Sequence, residues 1–221
     1  MKGILIGSLI LVAAAITFVV TPPSKNSNMS LRQKALKKLY PAIMKMGSST
    51  IIANTGEQQV KSAVSLYSLS VKLLDESTLD FSSLKNKKVM IVNTASDCGF
   101  TAQYGELEKL YQMHKNKLVI IGFPANDFGN QEKHSNEKIA VFCIANYGVS
   151  FPMAEKDIVI KGKKQQPVYH WLSHKSMNGW SDQAPTWNFC KYIIDENGTL
   201  THFMNSSVSP LGKECLEALG F

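Results

Sequence analysis

Two short apolar runs in the second half of the chain predict buried strands, each followed by a helix. Residues 89–92 are apolar and give way to small polar residues, and residues 118–123 are apolar and end at Pro124. Runs of this length, bounded by turn residues, are typical of buried strands. Helices are predicted after them, over about 104–114 and 135–147. This order of strands and helices predicts an α/β fold.

Further elements complete a central sheet of mixed direction flanked by helices. The tetrapeptide from Asp195 to Gly198 is a strong hairpin signal between two short apolar runs. The additional predictions are a strand at 67–72, a strand at 157–161, a helix at 168–174, strands at 189–194 and 200–203, and a last helix at 211–219.

The first 64 residues have a different character from the rest. Residues 3–20 carry no charge and are mostly Ile, Leu, Val and Ala, a length at the lower limit for a transmembrane helix. A signal peptide is the alternative. We therefore divide the chain into a membrane anchor or signal segment (1–21), a basic linker that is partly helical at 30–46 (22–64), and a globular domain (65–221).

Two arguments about the side of the membrane on which the globular domain lies oppose each other. Lysines and Arg32 behind the apolar span favour a cytoplasmic domain under the positive-inside rule. A single N-terminal anchor, however, often exports the domain that follows it. We expect a membrane-anchored protein, with the extracytoplasmic (periplasmic) side slightly favoured.

Composition and cysteine spacing exclude several classes of function. The formal net charge is +7, yet Arg32 is the only arginine among 24 basic residues. Nucleic-acid sites depend on the bidentate guanidinium, so no nucleic-acid partner is expected. The four cysteines, at positions 98, 143, 190 and 215, form neither a C-x-x-C pair nor a metal-binding spacing.

Cys98 is the candidate nucleophile. It lies in the connection between the strand at 89–92 and the helix that begins near Tyr104. Unpaired backbone N–H groups and the helix dipole at such a position favour the thiolate, which is the reactive form of cysteine. Without further support, a lone cysteine would more simply be a small buried residue.

Four segments resemble the motifs of the glutathione peroxidase family, in the same order. They are residues 93–101 (NTASDCGFT), 122–132 (GFPANDFGNQE), 142–152 (FCIANYGVSFP) and 187–192 (WNFCKY). The resemblance, which runs from about Leu66 to the C-terminus, implies a thioredoxin-like fold and a thiol peroxidase. The family's catalytic tetrad maps to Cys98, Gln131, Trp187 and Asn188, with no cofactor and no metal.

The resemblance also implies a mechanism and partners. Cys98 would reduce hydrogen peroxide and organic or lipid hydroperoxides, becoming a sulfenic acid that Cys143 resolves as a disulfide. Recycling would use thioredoxin or glutathione. Cys143 and the absence of arginine from 65–221 favour thioredoxin, and the short connection between Ser176 and Trp187 favours a monomer. The alternative function is a peroxide sensor or redox relay that passes its disulfide to a partner protein.

Three further residues are left with open roles. Asp127 stands where many members of the family have glutamine, and its charge could raise the pKa of Cys98. Cys190 and Cys215 are expected to be buried structural thiols.

Overall fold

A five-stranded mixed sheet forms the centre of the computed structural model, which describes residues 29–54 and 62–221. The strands are β1 (Ile51–Ala53), β2 (Ser70–Lys72), β3 (Thr78–Asp80), β4 (Lys88–Thr94), β5 (Leu118–Pro124), β6 (Lys191–Ile194) and β7 (Leu200–Met204). The sheet has the order β1-β7-β6-β4-β5, and β2 pairs with β3 in a separate hairpin. The helices are α1 (Leu31–Met46), α2 (Gln103–His114), α3 (Asn136–Tyr147), α4 (Pro167–Leu172), α5 (Lys175–Asn178) and α6 (Lys213–Leu219).

Strand β4 lies inside the sheet and is covered on both faces. It runs parallel to β5 and antiparallel to β6, with Ile91 opposite Ile121 on one side and Tyr192 on the other. Its apolar residues alternate between two core clusters, so Met90 and Ile91 point to opposite faces. Burial on both faces explains why residues 89–92 form an unbroken apolar run.

Both candidate redox cysteines lie on one side of this sheet. The core cluster on that side contains Cys98, Cys143 and the apolar residues of α2 and α3 such as Tyr104 and Phe142. The opposite side is covered by α4, whose Trp171 is fully buried. The fold therefore places the connection after β4 and the helix α3 against the same core.

The segment predicted as a linker contributes a helix and an edge strand. Ser30 caps α1 by a capping box, in which its Oγ accepts from the Gln33 N–H and Gln33 Oε1 accepts from the Ser30 N–H. The Gln33 amide also donates to the Ser96 carbonyl at 3.0 Å, and the Tyr40 hydroxyl donates to Glu106 at 2.8 Å. Strand β1 pairs antiparallel with β7. Residues 29–54 are therefore packed on the domain.

One predicted strand does not form. Residues 157–161 are irregular. Apart from the Asp157 N–H, which donates to the Pro124 carbonyl at the end of β5, their backbone groups bond to side chains and to a loop. The Val159 N–H donates to Asp127 Oδ2 at 2.7 Å, and the Ile158 carbonyl accepts from the Gln166 N–H. The strand predicted at 67–72 is shorter, since a 3₁₀ turn (Leu66–Ser68) precedes β2.

The predicted hairpin between β6 and β7 is confirmed. Asp195 Oδ1 accepts from the N–H groups of Asn197 and Thr199, which closes the turn. Gly198 has a φ of 80°, a left-handed conformation that costs glycine little. A side chain there would also meet the Tyr67 ring at 2.8 Å.

The anchor predicted for residues 3–20 lies outside the described residues. Within 29–54 and 62–221, every helix is too short or too polar to cross a bilayer.

Candidate active site

Cys98 sits in a tight loop between β4 and α2. Its backbone N–H donates to Thr101 Oγ1 at 2.9 Å, and the Thr101 hydroxyl also reaches the Ala95 carbonyl. The Phe100 N–H points back at the Cys98 sulfur, 3.4 Å away. The cysteine side chain is 1% exposed. Thr101 therefore folds the loop so that a backbone donor faces a nearly enclosed sulfur.

The structure brings the four residues of the predicted tetrad together. Asn188 Nδ2 donates to Gln131 Oε1 at 2.9 Å. The side chains of Asn188 and Trp187 lie close enough to the Cys98 sulfur to lower the pKa of its thiol as donors. Asn188 is fully buried, whereas Trp187 is 38% exposed. The sulfur is thus surrounded by neutral donors, and one edge of the site reaches the surface at Trp187.

Burial controls the acidity of Cys98. Loss of solvation raises the pKa of the Cys98 thiol above its usual value. The Phe100 N–H, the side chains of Asn188 and Trp187, and the Gly99 N–H act in the opposite direction, because each stabilises the thiolate. The net result is a pKa of Cys98 above the usual value of a thiol. The donors therefore stabilise a negative charge that burial by itself disfavours.

Asn93, a residue that the sequence analysis did not single out, holds the loop that carries Trp187 and Asn188. Its side-chain Nδ2 donates to the Trp187 carbonyl at 2.9 Å, and its Oδ1 accepts from the Cys190 N–H at 3.1 Å. Asn93 is fully buried on β4. The available signal was an amide residue that ends an apolar strand and begins the first motif.

Glu132 joins the loop of Gln131 to the loop of Cys98. Its buried Oε2 accepts from both the backbone N–H and the hydroxyl of Ser96, at 2.8 and 2.7 Å. The Asp97 N–H donates to the Gln131 carbonyl at 3.0 Å. Burial raises the pKa of Glu132 above its usual value. This residue was also missed, although a carboxylate directly after Gln131 was its signal.

Asp127 has a structural partner in this arrangement. Its Oδ2 accepts the hydrogen bond from the Val159 N–H described above. Burial and four donors together set the pKa of Cys98, and the Asp127 carboxylate makes no contribution to it. Asp127 therefore supports the loop at 157–160 beside the site.

Cys143 lies near the C-terminal end of α3 and faces the core. It is 1% exposed, and burial raises its pKa to about 12. The neighbouring Tyr104 hydroxyl lowers this pKa, and the Glu132 carboxylate raises it. Cys98 and Cys143 are both free thiols. The last turn of α3 ends at Gly148, whose N–H bonds the carbonyls of Cys143 and Ile144. Exposure of Cys143 therefore requires that turn to open.

Cys190 and Cys215 are the other two buried cysteines. Cys190 Sγ lies 3.6 Å from Thr186 Oγ1 and 3.9 Å from Ser206 Oγ. Cys215 is in α6, where burial raises its pKa to about 11. Both positions suit structural thiols.

A cavity of about 580 Å³ adjoins Gln131 and is closed on one side by α1. Its lining combines the start of α1 with the two loops of the site: Met29, Ser30, Gln33, Asp97, Asn130, Gln131, Lys133 and His134. A second cavity, of about 310 Å³, shares Gln33 and His134 with it and extends to Val141 and Phe142 of α3. The helix α1 thus shapes the surroundings of the site.

Solved structures support a thioredoxin-like fold. The chain is similar to a protein described as Trgpx in its apo form, with 32% identity and a TM-score of 0.54 over 72% of this chain and 98% of that one. T. cruzi GPX1 gives 26% identity and a TM-score of 0.53 over 71% and 97%. A DsbF homologue from Corynebacterium diphtheriae shares the fold at 10% identity, with a TM-score of 0.52 over 79% and 93%. The predicted thioredoxin-like α/β fold with a mixed central sheet is confirmed.

Sequence comparisons identify the family. The glutathione peroxidase family model matches residues 66–173. The glutathione peroxidase-like peroxiredoxin 2 of Saccharomyces cerevisiae is 42% identical over 147 residues, which are 66% of this chain and 90% of that protein. The glutathione peroxidase-like peroxiredoxin gpx1 of Schizosaccharomyces pombe is 45% identical over 146 residues, 65% of this chain and 90% of that protein. The chain therefore belongs to the glutathione peroxidase family.

Proposed function

We propose that the protein is a thiol peroxidase that reduces hydrogen peroxide and organic or lipid hydroperoxides at Cys98. Membership of the glutathione peroxidase family supports this activity. The observation that carries it is the arrangement of neutral donors around one sulfur: Asn188 and Trp187 lower the pKa of Cys98 as donors, and Asn188 is held by Gln131. Such donors can stabilise negative charge without a metal.

In the first step the Cys98 thiolate attacks one oxygen of the hydroperoxide. A new S–O bond forms while the O–O bond breaks, so the sulfur is oxidised to sulfenic acid and the peroxide is reduced. The leaving oxygen takes a proton and departs as water or alcohol. Asn188, Trp187 and Gln131 stabilise the charge on the thiolate and on the leaving oxygen. Peroxide reaches the sulfur beside the exposed edge of Trp187.

In the second step the Cys143 thiol attacks the sulfenic sulfur. The S–S bond forms, and the sulfenic oxygen leaves as water after taking a proton. Support comes from the shared core cluster of the two cysteines and from the position of Cys143 in the last turn of α3. Its buried thiol, with a pKa of about 12, stays inert until that turn opens.

A dithiol reductant of the thioredoxin type then restores both thiols by disulfide exchange. A disulfide between Cys98 and Cys143 is a substrate for such a dithiol, whereas glutathione would react with the sulfenic acid directly. The names of the peroxiredoxin-like relatives support this choice. The relay function that the sequence left open is not favoured by those relatives.

The attachment to a membrane through residues 3–20 also remains a proposal. It is supported by the uncharged apolar composition of that stretch. We slightly favour the extracytoplasmic (periplasmic) side for the domain, because a single N-terminal anchor often exports the domain behind it, and we propose a monomer.

Peptide mass analysis after treatment with an equimolar amount of hydrogen peroxide tests the mechanism. Wild type should form a Cys98–Cys143 disulfide, and Cys143→Ser should accumulate sulfenic or over-oxidised Cys98. Cys215→Ser is the matched control, because it removes another buried thiol, from α6. It should behave as wild type.

Two results would overturn these assignments. Absence of peroxide consumption by wild type with a thioredoxin system would reject the peroxidase itself. A sulfenic Cys98 that persists in wild type and reacts directly with glutathione would make Cys143 structural and the enzyme a one-cysteine peroxidase.

A further inference from the structure

Helix α1 carries two separate apolar faces. The inner face, with Gln33 and Tyr40 buried, packs on the domain next to the Cys98 loop. Ile43 lies on the same inner face, close to Gly99. The outer face contains a second line of five apolar residues: Leu31, Ala35, Leu39, Ala42 and Met46. Successive members of this line are three or four positions apart. This spacing aligns them along one side of an α-helix.

The outer line is uncovered within the described part of the chain. Leu31 is 87% exposed, Leu39 is 55% exposed and Met46 is 88% exposed. Single exposed apolar residues are common on soluble proteins, but a row that runs the whole length of a helix marks a contact surface. The inner face already accounts for the attachment of α1 to the domain, so the outer row serves another contact.

Basic residues border this outer row. Lys34, Lys38 and Lys45 are exposed and lie along one edge of it by helical spacing. The other two basic residues of α1 are directed towards the domain, since Arg32 pairs with Asp97 at 2.8 Å and Lys37 lies over the Tyr147 ring. The helix has no acidic residue. Its outward surface is therefore apolar and purely cationic.

We propose that the outer face of α1 binds an anionic lipid surface, with Leu31, Leu39 and Met46 in the interface and the lysines at the headgroups. An apolar row beside lysines is the pattern of helices that lie in the membrane interface. A second copy of α1 fits less well, because it would bring two sets of lysines together. The 30 residues before α1 include the uncharged stretch 3–20, which brings α1 close to a bilayer if it inserts.

This contact would orient the Cys98 site relative to the lipid surface. The orienting role rests on the proposed function in peroxide reduction. The Gln33 amide of α1 holds the Ser96 carbonyl, two positions before Cys98. The cavity next to Gln131 is lined by Met29 and Ser30, which directly precede α1. A helix lying on lipid would therefore hold the cavity at the bilayer surface.

The test uses the full chain with a benzophenone amino acid in place of Leu39, photolysed on vesicles. Vesicles that contain phosphatidylglycerol should give strong cross-linking to lipid, and pure phosphatidylcholine vesicles should give little. Combining the probe with Lys34→Gln, Lys38→Gln and Lys45→Gln should lower the yield by about tenfold or more, since each lysine near an anionic surface contributes roughly fivefold in affinity. The same probe at Met113, which is 59% exposed on α2, is the positional control.

A second triple variant controls for net charge. Lys117→Gln, Lys163→Gln and Lys164→Gln remove as many exposed lysines from other elements and should leave the Leu39 cross-link intact. The proposal is overturned if the Leu39 and Met113 probes label lipid equally, or if the α1 lysines have no effect. It is also overturned if Leu39 cross-links to residues 1–28 or to a second copy of the chain. Turnover of hydrogen peroxide, measured in parallel, reports the proposed function independently.

Discussion

Asn188 donates a hydrogen bond from Nδ2 to Oε1 of Gln131 across 2.9 Å, and the two residues are 57 positions apart in the chain. The same Asn188 side chain lies beside the Cys98 sulfur and lowers the pKa of its thiol. The segments 93–101, 122–132 and 187–192 therefore meet at one buried amide, that of Asn188. The side-chain Oε1 of Gln131 orients that amide, so that its second hydrogen is free to face the sulfur.

Asn188→Ala should slow the reaction of Cys98 with peroxide by about 10²–10³-fold, because it removes a donor to the developing negative charge and leaves Gln131 without its partner. Stopped-flow measurement of the second-order rate constant with hydrogen peroxide checks this. Gln112→Ala is the matched control, since it removes an exposed amide on α2 and should not change the rate. A rate for Asn188→Ala close to that of wild type would contradict the role assigned to Asn188.

The rate of the same reaction should rise with pH. Burial holds the pKa of Cys98 above that of a free thiol, so the protonated, unreactive form dominates at neutral pH. Each increase in pH enlarges the thiolate fraction, and the rate should still be climbing at about pH 8.5, the ordinary pKa of a thiol, because the pKa of Cys98 lies above it. Single-turnover kinetics between about pH 6 and 10 measure this profile.

Trp187→Phe tests the direction in which the Trp187 indole shifts that pH profile. It removes an indole donor that lowers the pKa of Cys98, so the profile should move to higher pH. Trp180→Phe is the control, because the Trp180 indole bonds the Leu200 carbonyl instead. A plateau in the wild-type rate below about pH 7 would show that the donors outweigh burial.

Gly148→Ala should accelerate formation of the Cys98–Cys143 disulfide. Gly148 ends α3 at a φ of 65°, where alanine costs about 1 kcal/mol, and the space around its Cβ is open. The strain loosens the turn that buries Cys143, so resolution should be about fivefold faster if opening limits it. Rapid-quench mass analysis after a peroxide pulse gives the rate.

Gly162→Ala is the matched control for Gly148→Ala. The space around a Cβ at Gly162 is also open, but its backbone does not require a positive φ. It should leave both the sulfenic and the disulfide steps unchanged. An unchanged disulfide rate in Gly148→Ala would mean that opening of the last turn does not limit resolution.

Asp127→Asn should not shift the pH profile of the Cys98 reaction. The Asp127 carboxylate accepts a hydrogen bond from the Val159 N–H, and burial raises the pKa of the thiol. Asp127→Ala should lower the free energy of unfolding by about 1 kcal/mol through loss of that hydrogen bond. Urea denaturation measures the second effect. A profile displaced to lower pH in Asp127→Asn would instead show that its charge tunes Cys98.

The local elements were predictable because their signals are local. Residues 89–92 and 118–123 become β4 and β5, since strands buried on both faces are continuous apolar runs. The turn at 195–198 forms the hairpin, because Asp195 bonds the backbone of its own loop. The strand predicted at 157–161 failed because a distant side chain, Asp127, competes for its backbone.

The sequence by itself determined the α/β order, the resemblance to glutathione peroxidases and the four residue types of the tetrad, because motifs and periodicity are properties of neighbouring residues. Only the tertiary structure decided that Asn93 and Glu132 hold the loops of the site, and that α1 packs beside Cys98 and turns a second apolar face outward. Those contacts join residues tens of positions apart. They arise when the sheet and its helices bury a common core, and a pattern along the chain carries no record of them.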